Sequence, residues 1–176
     1  MPRIPAIDPA TATGRAKEIF EGPLKGKTLN IFRSMAANPA VLDTYLGMAG
    51  ALNGSTLTPK EREVIQLAIG EANNCGYCTA AHTVIGKGAG LTEQATIEAR
   101  RGKMTDPKLN GLARFALALH EKRGFVSEKD VSEFVAAGYT QPQMGEVVAV
   151  YSLALFTNYF NHMNETALDF PPAPML

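Results

Sequence analysis

The chain has no excess of either charge: 17 basic and 17 acidic side chains cancel, and Lys and Arg never run to more than two in a row. That removes the electrostatic footprint required by nucleic acid or by an anionic membrane surface, so neither is expected as a partner. It also lacks an apolar run approaching the ~20 residues that carry a helix across a bilayer. The most apolar stretch, "VVAVYSLALF" from Val147 to Phe156, is about half that length and predicts a buried core helix. Prolines interrupt the opening "MPRIPAIDPATATGRAKEIF" where a signal peptide needs an unbroken apolar region, and the stretch is not the Arg-rich, acid-poor type of a transit peptide. The cytoplasm is the expected location.

Cysteine is scarce as well, with two in 176 residues. A chain of this length buries enough core to fold without disulfides or metal, so the pair is free for another purpose. In a reducing compartment, two cysteines at CxxC spacing point to redox catalysis or metal binding before a permanent bridge. Also missing are alternating Val/Ile/Thr segments closed by hairpin turns. Alanine-rich segments with apolar residues at helical spacing run from end to end instead, and the expected fold is all-α.

The helices can be placed by their punctuation. A first is expected within "TATGRAKEIFEGPL", a short one around "LNIFRSMAAN", and a third from Pro39, closed by Gly54. In "LTPKEREVIQLAIGEANN", Thr58 as N-cap, Pro59 in the first turn and Glu61 three residues after the cap form the signature of a capping box. Its apolar stripe is Val64, Ile65, Ala68, Ile69 and Ala72. Asn73 and Asn74 then break that helix and cap the next, "CGYCTAAHTVIGKGAG". Thr92 caps "LTEQATIEARRG", and Pro107 opens "DPKLNGLARFALALHEKRG". "SEKDVSEFVAAG" and a long helix from about Gln141 to Thr166 complete a single domain spanning residues 1–176, with a proline-rich tail at 170–176 that cannot continue a helix. A faint internal echo sets "EREVIQLA…CGYCTAAHT" against "MGEVVAVY…NYFNHMNET", pairing Glu63 with Glu146, Cys75 with Asn158 and Cys78 with Asn161.

The chemistry concentrates in "NNCGYCTAAH". In the first turn of a helix, unpaired backbone N–H groups and the positive dipole end stabilise a thiolate. Residues three apart on a helix have Cα atoms ~5 Å apart, within disulfide range. Cys75 and Cys78 can therefore close and reopen a bridge with little backbone motion. His82 follows four residues after Cys78 and shares its face, so an imidazole there can take a thiol proton or hold a thiolate. Glu63, twelve residues before Cys75, is about one helical hairpin away from both. A carboxylate reaching His82 would fix its tautomer and complete a proton relay.

The pattern E-x11-C-x-x-C-x3-H, carried by Glu63, Cys75, Cys78 and His82, resembles the alkylhydroperoxidase D (AhpD)-like branch of the carboxymuconolactone decarboxylase superfamily. The segment from about 57 to 92 is the specific part of the likeness. The resemblance implies an AhpD-like helical bundle that assembles as a trimer or hexamer. It implies reduction of hydroperoxides by a dithiol with no bound organic cofactor, the oxidised pair being restored by a dithiol reductant protein or a lipoyl-type carrier. Carried over to these positions, Cys78 is the peroxide-attacking thiolate, Cys75 the resolving thiol, and His82 and Glu63 move protons. The best-known members have a histidine immediately before the second cysteine, where this chain has Tyr77, a phenol that donates a hydrogen bond but is a poor base at neutral pH.

Other readings of the same residues stand beside this one. One is a non-catalytic zinc-binding or oligomeric interaction protein, in which the paired thiols with His82 and Glu63 make a possible zinc tetrahedron, although three ligands on two turns of one helix form a strained clamp. A carboxymuconolactone decarboxylase-like lyase would use His82 and Glu63 alone and has no need of thiols. Glu63 by itself reads as a solvated first-turn carboxylate, and Tyr77 as core packing or pocket lining. His120, near a helix C-terminus, has a dipole role. His162 reads as a satisfied structural residue, and the methionines as core filler.

Overall fold

A computed structural model describes residues 1–176, and the chain is helical throughout, with no strand. Nine α-helices follow in order: α1 Gly14–Glu21, α2 Asn30–Met35, α3 Pro39–Ala51, α4 Pro59–Ala72, α5 Gly76–Gly88, α6 Glu93–Arg100, α7 Pro107–Glu121, α8 Glu128–Ala136 and α9 Gln141–Asn164. This is the expected all-α architecture, with the CxxC pair at the start of a central helix. None of the helices is long and apolar enough to cross a membrane.

Helix α4 is the hub, packed against α5, α6, α7 and α9. Its capping box forms as the sequence predicts, with Thr58 accepting from the Glu61 N–H and Glu61 accepting in return from the Thr58 backbone. Val64, Ile65, Leu67, Ala68 and Ile69 are fully buried, so the helix is covered on nearly every side rather than on one stripe. Ala72, assigned to that stripe, is exposed, because it lies in the last turn where the chain leaves the bundle for α5.

The ends of several elements differ from expectation. α1 begins at Gly14, and α9 stops at Asn164 because Glu165 takes a left-handed conformation. α3 ends at Ala51 and runs into a short 3-10 turn, Leu52–Gly54, that carries the chain to the glycine. The stretch from Val147 to Phe156 is only half a core helix. Val147, Val150, Leu153 and Ala154 are buried while Val148 is exposed, since α9 lies at the edge of the bundle with one face inward.

Two apolar clusters result. The larger joins α4, α6, α7, α8 and α9, with the Phe115 and Phe134 rings at 4.4 Å and Phe134 stacked on Tyr139 at 4.7 Å. The smaller joins the first three helices to the beginning of α5 and includes Cys75, Tyr77, Cys78 and Ala81. The redox-capable pair is thus part of a core, not a surface loop.

Candidate functional site

The turn between α4 and α5 sets the cysteines in place. Asn74 adopts the left-handed region with φ 55°, its N–H bonds to the Glu71 carbonyl, and the Cys75 N–H reaches back to the Gly70 carbonyl, both at 2.8 Å. These two bonds form a Schellman motif, which satisfies the last carbonyls of α4 and turns the chain. The helix break falls where the paired asparagines predict it, but neither asparagine caps α5. Cys75 is itself the N-cap, its sulfur accepting from the Cys78 N–H at 3.3 Å. Cys78 therefore lies in the first turn, where the helix dipole favours negative charge.

Cys75 and Cys78 are joined as a disulfide with Cα atoms 5.2 Å apart, and the chain has no other cysteine. Both are almost fully buried. They differ in surroundings, because Cys78 lines a cavity of about 80 Å³ and Cys75 lies behind it, outside the lining. The cavity wall is mostly apolar, including Leu29, Phe32, Ile85, Leu153 and Phe170. Tyr45, whose phenol burial and the nearby Glu63 charge hold above its ordinary pKa, also faces it.

His82 and Glu63 meet as expected. His82 Nδ1 lies 2.7 Å from Glu63 Oε2, with both side chains largely buried. The contact fixes the imidazole and leaves Nε2 as its remaining proton-carrying position. The approach of α4 to α5 that permits it runs past Gly86, where an added Cβ would fall 3.6 Å from the Glu63 Cβ and 3.0 Å from Leu91. His82 lines the same cavity as Cys78, so a thiol, an imidazole and a buried carboxylate behind it serve one space. With the cysteines joined as a disulfide, no group of three or more His, Cys, Asp or Glu side chains is arranged to hold a metal ion.

Tyr77 is both core and pocket wall. It is buried in the smaller cluster and lines the cavity. Its hydroxyl donates to Asp169 Oδ2 at 2.5 Å, and burial first, then the Asp169 carboxylate, push its pKa well above the ordinary phenol value. The contact and the burial together favour its protonated, donating form. The Asp169 carboxylate also accepts from the Asn30 N–H at 2.8 Å, and the Phe170 and Tyr77 rings meet in a T-shaped pair. The tail after α9, expected only to end a helix, therefore closes one side of the site.

Three further residues at the site have no signature of their own in the sequence. Asn161 of α9 donates its amide to Cys78 Sγ at 3.4 Å, and Asn158, one turn earlier, accepts from Asn73 at 2.9 Å. Gln66 of α4 also lines the cavity. The internal echo touched the right asparagines for a different reason. Glu146, its partner for Glu63, accepts hydrogen bonds from Ser55, Thr56 and Leu57 instead of a histidine, and α9 is one continuous helix rather than a hairpin. His162 is exposed and outside the cavity, while His120 meets the Tyr151 hydroxyl at 3.1 Å.

Residues 39–122 match the carboxymuconolactone decarboxylase family. No curated protein sequence matches the chain. Among solved structures it is similar to the AhpD core of an uncharacterized peroxidase-related protein from Ralstonia eutropha JMP134, with a TM-score of 0.84 and 22% identity over 96% of this chain and 92% of that one. It is similar to an uncharacterized peroxidase-related protein from Silicibacter sp. TM1040, at 0.80 and 20% over 94% and 89%. The debrominase Bmp8 in complex with 2,3,4-tribromopyrrole is a third, at 0.78 and 16% over 95% and 91%. At such identities the likeness speaks for the fold.

Proposed function

We propose that this chain is an AhpD-like member of the carboxymuconolactone decarboxylase superfamily, a reading supported by the match over residues 39–122 and by the fold, and that it is a thiol-dependent peroxidase that reduces hydroperoxides through Cys75 and Cys78. The observation that carries the reading is the position of the pair. Cys78 faces an apolar cavity beside a His82–Glu63 couple, and Cys75 stands behind it at bonding distance.

In the reduced protein the Cys78 thiolate attacks the terminal oxygen of the hydroperoxide. The S–O bond forms as the O–O bond breaks, and the alkoxide leaving group takes a proton from the His82 imidazolium, whose charge Glu63 balances. Cys78 is then a sulfenic acid. The Cys75 thiol attacks its sulfur, the disulfide closes and water leaves. An external dithiol, either a reductant protein or a lipoyl-type carrier, returns two electrons and two protons by thiol–disulfide exchange. No organic cofactor enters the cycle. The assignment of Cys78 as attacker is supported by its place on the cavity wall, which Cys75 lacks.

Such chemistry suits the cytoplasm, where a reductant is at hand. Assembly as a homo-oligomer, trimer or hexamer, is part of the same proposal and is supported by exposed apolar side chains on α5 and α9, Val84, Ile85, Val148, Tyr159 and Met163. In the purified protein, Cys78→Ser is expected to abolish peroxide consumption, and activity equal to wild type would overturn the reading. Activity that survives complete alkylation of both thiols would instead give the site to acid–base chemistry by His82 and Glu63 on a lactone.

A further inference from the structure

Buried polar atoms almost always have hydrogen-bond partners. In this chain four buried side-chain atoms have none: Gln66 Oε1, Thr83 Oγ1, Asn158 Nδ2 and Asn161 Oδ1. Two of them, Gln66 Oε1 and Asn161 Oδ1, belong to residues that line the cavity at Cys78, and those residues are only 6% and 4% exposed. Both atoms are acceptors. Each carries the desolvation cost of an unmade hydrogen bond, in a residue that lines an otherwise mostly apolar cavity.

The orientation of Asn161 follows from its other contact. The disulfide sulfur of Cys78, like the thiolate it becomes on reduction, accepts and does not donate, so the amide must turn its NH2 toward it. The carbonyl oxygen is the other end of the same planar group. A donor that meets this oxygen on the side of the NH2 group is held beside the sulfur.

We propose that Gln66 and Asn161 are the recognition point of this cavity. Their side-chain carbonyls take the hydrogen of a ligand that brings a single O–H donor on an apolar body, and Asn161 seats the donor oxygen against Cys78. This inference rests on the peroxidase reading for the identity of that oxygen. In a hydroperoxide the O–H oxygen is the terminal one, the atom that the thiolate attacks. Its hydrogen stays with it through the step and becomes the sulfenic acid hydrogen, still facing the same acceptor. The cavity, at about 80 Å³, is smaller than the roughly 150 Å³ that encloses benzene. It takes the reacting group and its first few carbons, and a larger organic group extends through the mouth. The substrate class is thus a hydroperoxide with a compact apolar group next to the O–O bond, and peroxides without an O–H are excluded.

The test separates binding from turnover. With the oxidised full-length protein, titrations of tert-butyl alcohol and of methyl tert-butyl ether are followed by NMR. The alcohol is expected to bind about ten-fold more tightly, the worth of one neutral hydrogen bond, and Gln66→Met and Asn161→Leu are each expected to reduce the difference. In turnover, Gln66→Met raises KM for tert-butyl hydroperoxide about ten-fold and leaves the Cys78 thiol pKa, read from alkylation rate against pH, where it was. Asn161→Leu loses both contacts and raises that thiol pKa as well. Gln66→Met removes an unpaired acceptor, so a melting temperature at or above wild type shows that the variant is folded. Equal affinity for alcohol and ether in the wild type, or an unchanged preference in both variants, overturns the proposal. If Cys78→Ser keeps full peroxide consumption while the alcohol preference stands, the peroxidase reading fails and the donor-recognition site does not.

Discussion

Two carboxylates two residues apart on α4 face opposite halves of the molecule and are treated differently. Glu61 belongs to the larger core's side. Its oxygens accept from the Thr58 N–H and hydroxyl, from the Tyr139 hydroxyl at 3.0 Å, and from Lys108 at 3.0 Å. Glu63 faces α5 and has one close partner, His82. The same contrast holds for the regions around them. All four unpartnered buried side-chain atoms are carried by α4, α5 and α9, the helices that frame the cysteines. None lies on α7 or α8, where the polar groups are saturated or outside. A saturated carboxylate is a fastener. A carboxylate with one titratable partner, beside unsatisfied amides, is poised to exchange protons and ligands, and departures from full satisfaction gather where function is expected.

The largest effect that tests this contrast is expected in the saturated half. Phe134→Ala removes a ring that is 1% exposed and packed between Phe115 and Tyr139. A loss of about 3–5 kcal/mol in unfolding free energy is expected, measured by urea titration, with the peroxide rate per folded molecule unchanged. A fall in that rate would mean that the two halves are not separable. Next in size is Glu63→Gln, which keeps the shape but removes the charge that supports an imidazolium at His82. Peroxide kcat/KM is expected to fall roughly 100-fold, with little change in melting temperature. The substituted amide can still hydrogen-bond the ring, so a rate within about two-fold of wild type would deny Glu63 any electrostatic share in the reaction.

Much of the site was legible in the sequence because its parts are local. CxxC spacing, a helix start marked by Asn73 and Asn74, and His82 one turn on are all short-range patterns. Glu63 is reached by a single hairpin whose cap at Thr58 sets the register. The helical class was legible for the same reason, since periodicity and caps repeat every few residues. The residues that were not legible come from far along the chain. Asn161 reaches Cys78 across 83 positions, and Asp169 reaches Tyr77 across 92. Such pairings are fixed by how α9 crosses the α4–α5 hairpin and by where the tail returns, and neither leaves a local mark. Gln66 was hidden differently: within the apolar stretch of α4 from Val64 to Gly70, one polar residue shows its significance only when its buried carbonyl proves to have no partner. The exposed face of α9 shows the reverse, where an apolar run suggested full burial and the crossing geometry granted half.

The smallest effect concerns Glu61 and its dependence on pH. Burial pushes its carboxyl up, but hydrogen bonds from the Thr58 backbone, Lys108, the Thr58 hydroxyl and Tyr139 outweigh that and hold it below its ordinary value. The folded protein thus keeps Glu61 ionised at a pH where the unfolded chain already binds a proton. Stability from this group is fully present above the unfolded carboxylate value, near 4.5, and is lost as pH falls through the lower folded value. Glu61→Gln retains the shape of the capping box but gives up the charge. It is expected to cost about 1 kcal/mol at neutral pH, and the difference from wild type should shrink toward zero as the pH is taken well below 4.5. Asp43, Glu98, Asp130 and Glu146, also held below their ordinary values by hydrogen bonds, keep an acid limb in the variant, so only the difference between the two curves isolates Glu61. Peroxide consumption at neutral pH should not change. A loss as large as that of Glu63→Gln would erase the distinction between fastener and relay on which the two carboxylates were separated.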